Sequence, residues 1–65
     1  MYRPYKYEIA LHLMDQGRYP MAIDLIKDLL ASDPNDAAYH GALAFCLLQQ
    51  MRIHAAEYEL KIALQ

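Results

Sequence analysis

The chain repeats itself after 34 residues. With residues 3–31 set against 37–65, Tyr5 falls on Tyr39, Ala10 on Ala44, Leu13 on Leu47 and Gln16 on Gln50. Arg18 likewise falls on Arg52, Ala22 on Ala56, Lys27 on Lys61 and Leu30 on Leu64. Other pairs keep their chemistry: Ile9 with Leu43, Leu11 with Phe45, Met14 with Leu48, Ile26 with Leu60. A period of this length belongs to stacked pairs of helices, in which each pair buries its apolar side only against its neighbours. Two units fit, one over about residues 3–36 and one over about 37–65, the second stopping short of a further linker.

Breakers divide each unit into two helices. Pro4 suits a first helical turn, where its missing N–H is not needed, and the stripe Ile9, Ala10, Leu13, Met14 has helical spacing up to about Gln16. Gly17 supplies the left-handed residue that closes this helix. A second helix runs from Tyr19 or Pro20 to about Ala31, with Ala22, Ile23, Ile26, Leu29 and Leu30 on one side. Ser32-Asp33-Pro34-Asn35-Asp36 breaks the chain: Pro34 disfavours helical geometry at Asp33, and Asn35 or Asp36 caps the next helix. The third helix spans about Ala37 to Gln49 and the fourth about Ile53 to Leu64. No stretch alternates with period two, so no strand is predicted.

Sixty-five residues make one small domain, near the size at which a single core is marginal. Yet 57% of them are hydrophobic, more than so small a body hides with ease. The net charge is −2 and no basic run is present, which gives nucleic-acid binding little support. The lone Cys46 cannot form an intramolecular disulfide and suits a reducing compartment. No signal peptide follows Met1, and the longest apolar run, Ala42–Leu48, is too short for a bilayer. The expectation is a soluble cytoplasmic protein with no membrane span.

Gly17-Arg18-Tyr19, Ala22-Ile23, Leu29-Leu30 and Asp33-Pro34-Asn35-Asp36 together resemble the tetratricopeptide repeat (TPR) over essentially the whole chain. The resemblance implies an all-α fold of four helices: two antiparallel helix-turn-helix hairpins stacked as a short right-handed α-solenoid. Ala10, Ala22, Ala44 and Ala56 then let paired helices approach closely. Where the family has a bulky aromatic early in the first helix, this chain has Lys6 and His40, with Tyr5, Tyr7 and Tyr39 as neighbours able to fill the space. Met51 stands where Gly17 stands in the first unit, at a cost of roughly 1 kcal/mol if it is left-handed.

In this family the first helix of each pair lines a groove for a peptide or helix of another protein. Carried over by position, the groove comprises Tyr7, Leu11, Met14 and Asp15, then Gly41, Phe45, Leu48 and Gln49. Members that clamp a carboxylate carry Lys and Asn there. Tyr7, Leu11 and Ala42 exclude that chemistry and suit the apolar face of an amphipathic helix, with Asp15, Gln49 and Lys6 setting register. The competing reading makes these side chains core. Against it, Ile9, Ala10, Leu13, Leu43, Ala44 and Leu47 already supply an inward stripe. On the last helix, Ile53, Ala56, Leu60, Ala63 and Leu64 form an apolar side with no polar cap, which predicts self-association.

No catalytic site, metal or cofactor is expected. His12 and Cys46 are equivalent positions, but two ligands do not make a zinc site, and a Cys on an apolar helix is usually a small hydrophobe. Glu8 with His12, and His54 with Glu57 or Tyr58, have the spacing of surface pairs, while Arg18 is placed to meet Asp15. The primary expectation is a protein-interaction module. Alternatives are a small bacterial secretion chaperone and the N-terminal end piece of a longer repeat scaffold, attached to a missing domain.

Overall fold

The computed structural model describes residues 3–65. Among them lie four α-helices: α1 (Tyr5–Asp15), α2 (Tyr19–Ser32), α3 (Ala37–Gln49) and α4 (Ile53–Ala63). No strand occurs among the described residues. Helix α1 pairs with α2 and α3 with α4, and packing of α2 on α3 joins the two hairpins. Each helix begins and ends within one residue of its sequence-predicted bound.

Both hairpin turns close by one hydrogen-bond scheme, displaced by the repeat length. Gly17 N–H donates to the Met14 carbonyl and Arg18 N–H to that of Leu13, at 3.0 and 2.8 Å. In the second hairpin Met51 N–H donates to Leu48 and Arg52 N–H to Leu47, both at 2.9 Å. This pairing satisfies carbonyls that the helix end leaves over, and it needs a left-handed residue at the centre. Gly17 has φ 75° and Met51 φ 62°. Methionine thus holds the conformation that glycine adopts freely, with its side chain 80% exposed and packing on little.

Between repeats, Asp36 rather than Asn35 caps α3. Its carboxylate accepts from the N–H groups of Ala38 and Tyr39 at 2.9 and 3.2 Å. The caps of the other three helices involve no side-chain hydrogen bond.

The four alanines Ala10, Ala22, Ala44 and Ala56 are each 0% exposed, so every helix contributes one to the core. Around them lie Ile23, Ile26, Leu29, Leu43, Cys46 and Leu47. Tyr39 fills the space left by the missing aromatic: it is buried, with the Tyr7 ring tilted against it at 5.3 Å. Its equivalent Tyr5 is 74% exposed and fills nothing. Ile9 also departs from its expected inward position. It is exposed where its equivalent Leu43 is buried, because α3 has the first hairpin beside it and no described helix precedes α1.

At Gly17 an added Cβ would meet nothing within 4 Å, so only the backbone resists substitution. Gly17→Ala should therefore destabilise by about 1 kcal/mol, while Met51→Gly should be neutral to stabilising by up to about 1 kcal/mol. Urea unfolding midpoints of both variants check this pair of outcomes.

Candidate functional site: an uncovered stripe across α1 and α3

Helix α3 is almost enclosed. Tyr39, His40, Ala42, Leu43, Ala44, Cys46 and Leu47 are all buried. Beyond exposed Ala37 at its start, what stays uncovered is one line at helical spacing, half-buried Gly41 and exposed Phe45 and Leu48, with exposed Gln49 at its edge. Phe45 and Leu48 are 43% and 40% exposed. On α1 the equivalent line is Tyr7, Leu11 and Met14, edged by exposed Asp15. Leu11 is 38% exposed, whereas Tyr7 and Met14 are half-buried and also pack against the core. The Tyr19 ring meets Phe45 edge-on at 6.1 Å. The stripe is an open face, and no enclosed pocket occurs among the described residues.

The second apolar surface is on α4. Equivalent positions on α2 show what it lacks. Ile23 and Ile26 are buried and Leu30 half-buried under α3, while their counterparts Glu57, Leu60 and Leu64 are exposed. Ile53 adds to this surface at 45% exposure, and Ala63 is half-buried at its margin. Ala56 does not belong to it: at 0% exposure it is core, because α4 turns that side towards α3.

At the linker end, polar groups fasten the two hairpins. Arg3 donates to the Asp36 carboxylate at 2.7 Å and stands over the rings of Tyr7 and Tyr39, 5.3 and 5.1 Å from their centroids. A guanidinium held over two rings and a carboxylate gains both cation–π and charge-assisted contacts. Partial burial works against ionisation of Asp36, but the Arg3 guanidinium and the N–H groups of Tyr39 and Ala38 outweigh it and hold the carboxyl below its usual range.

His40, one residue before the open stripe, is 8% exposed. Its Nδ1 lies 2.6 Å from Glu59 Oε1 and its Nε2 2.6 Å from the Pro34 carbonyl oxygen. The hydrogen bond with Glu59 raises the His40 pKa above its ordinary value; burial opposes this, and the Pro34 carbonyl and Asp36 add to it. Sequence reading found His40 only as a departure from a pattern and assigned Glu59 no role. Lys6, the equivalent of His40, is exposed, with its Nζ 3.9 Å from Asp28 Oδ2.

The remaining polar residues stay apart. His12 is exposed while Cys46 is fully buried, and burial pushes the Cys46 thiol up. Among the described residues no three His, Cys, Asp or Glu side chains come together as a metal site would need. His54 and Glu57 come within 3.7 Å, but neither Glu8 with His12 nor Arg18 with Asp15 forms an ion pair among the described residues. Among the described residues no helix is long and apolar enough to cross a membrane.

Helix hairpins repeated at a fixed interval, with alanines at their crossings and an open stripe on each first helix, define a helical-repeat protein. The family model of the tetratricopeptide repeat matches residues 13–65, and the chain belongs to that family. No curated protein and no solved structure matches it. Tetratricopeptide repeats are, in general, modules of protein–protein interaction.

Because its folded-state pKa is lowered, Asp36 contributes stability that is present above its unfolded value of about 4 and lost as the pH falls through the folded one. Asp36→Ala removes the cap and the Arg3 partner together and should cost about 1–2 kcal/mol at neutral pH. The difference from wild type should shrink on acidification, as followed by denaturant unfolding at a series of pH values.

Proposed function

We propose that the chain is a protein-interaction module whose α1–α3 stripe receives the apolar side of an amphipathic helix or extended segment from another protein. The observation that carries this reading is α3 itself. It is packed on every side except along Gly41, Phe45 and Leu48, and α1 carries the same line at its own positions. Gly41 adds support. Glycine inside a helix costs roughly 1 kcal/mol relative to alanine, yet an added Cβ at Gly41 would meet nothing within 4 Å. No packing demand accounts for it, and a local rule broken without a structural reason points to function. Leu11, Phe45 and Leu48 supply the contact area, with Tyr7 and Met14 shared between face and core. Asp15 and Gln49 set register.

Phe45→Glu and Leu11→Glu should each weaken binding to amphipathic peptides selected from a display library by about 30-fold or more, with the far-ultraviolet circular dichroism unchanged. Loss of helicity alongside binding would make these residues core and overturn the reading. Gly41→Ala should stabilise the fold, whereas Gly41→Phe should block binding without unfolding it.

A second reading, self-association through α4, is favoured by the comparison with α2. Ile53, Leu60 and Leu64 lie bare where Tyr19, Ile26 and Leu30 are covered to varying degrees. Glu57, in the place of buried Ile23, limits this association, since a covered carboxylate without a cation costs several kcal/mol. The expectation is a weak, concentration-dependent dimer or larger species, lost in Leu60→Glu. Light-scattering mass on a sizing column, over about a hundredfold concentration range, checks it; a strict monomer throughout excludes it. Co-purification with one dedicated, otherwise insoluble partner favours the secretion-chaperone alternative, and a coding sequence continuing with a further Asp-Pro-Asn linker favours the scaffold end piece, whose task is stacking alone.

A further inference from the structure

We propose that His40 is a pH-operated latch, which as an imidazolium ties α4 to the linker between the hairpins and on deprotonation releases one of the two. Glu59 Oε1 and the Pro34 carbonyl oxygen are both acceptors, and each lies 2.6 Å from a different ring nitrogen. A neutral imidazole carries one N–H; only the imidazolium donates through both nitrogens. Loss of the proton therefore sets a nitrogen lone pair against an oxygen lone pair at one of the two contacts. At 8% exposure, His40 leaves water little room to take over the lost bond.

The groups facing the ring agree with the charged form. Helix α4 presents Glu59, which is itself half-buried, and the N-terminus of α3 presents Asp36. The linker contributes the Pro34 carbonyl and no cation among the contacts of the ring. Arg3 is the nearby positive group, and it is engaged by Asp36. The raised pKa fixes the sign. The latch contributes fully below the unfolded value of about 6.5 and is lost as the pH rises through the higher folded value. Opening follows alkalinisation, not acidification, and what it loosens is the seat of α4 against the linker.

The test joins nitrogen NMR of the histidine rings to thermal unfolding between about pH 6 and pH 8.5. The expected result is a His40 ring protonated at both nitrogens at pH 6, below the unfolded value of about 6.5, and a midpoint lower by about 4–8 °C at the alkaline end. His40→Gln and Glu59→Gln should flatten that slope. His54→Gln should keep it, because His54 is fully exposed and meets only Glu57. An unprotonated His40 nitrogen at pH near 6.5, or equal slopes in wild type and Glu59→Gln, would overturn the proposal. Should His40→Gln fail to fold, the wild-type NMR titration decides alone.

Discussion

Close approach of the paired helices is the constraint on which the rest of this molecule depends. Four alanines, one per helix, are stripped of all solvent, and their small side chains set how near the helix backbones come. That spacing brings Ile26, Leu43 and Leu47 into one core and leaves no room for a larger residue at the crossings. Among the described residues, the sides of α1 and α3 turned away from these crossings are covered only in part. The open stripe is thus a geometric remainder of the same packing that holds the hairpins together.

The join between repeats works by different physics. Apolar contact of α2 with α3 is supplemented by Arg3, which pairs with Asp36 at the start of the second hairpin; within that hairpin His40 bonds Glu59 of α4 and the Pro34 carbonyl of the linker. Arg3 reaches from the chain start to the cap of α3 and lies against aromatic rings from both repeats. Buried or half-buried ionic groups of this kind add little net stability, but they tolerate few alternative geometries. Arg3 with Asp36 orients one hairpin on the other, which the non-directional hydrophobic contacts leave loose, and His40 seats α4 on the linker.

Much of this was legible in the residues. The 34-residue period, the breakers at Gly17 and around Pro34, and the recurring alanines gave four helices and their pairing, since each signal is local or repeats. Of the positions that the period assigns to an outer line, Leu11, Asp15, Phe45, Leu48 and Gln49 are exposed, and Tyr7, Met14 and Gly41 half-buried. What escaped depended on distant partners. Tyr5 and Tyr39 are identical residues at equivalent positions, yet one is exposed and the other buried, because α3 packs on α2 of the first hairpin as well as on α4, whereas α1 packs chiefly on α2. Ile9 failed for the same reason. Ala56 carries two expectations, a place at the helix crossing with Ala22 and a place on the apolar side of α4, and its burial agrees with the first. His40 could not be read from spacing at all: one of its partners is 19 residues away and the other is a backbone carbonyl.

Cys46 gives the second hairpin an internal clock. Its sulfur is shut away between helices, and burial keeps the thiol from ionising, so an alkylating reagent meets it only when α3 comes loose from its neighbours. The rate of modification in the native protein therefore measures how often that part of the core opens. Since the chain has a single cysteine, one mass increment reports the event without ambiguity about where it occurred.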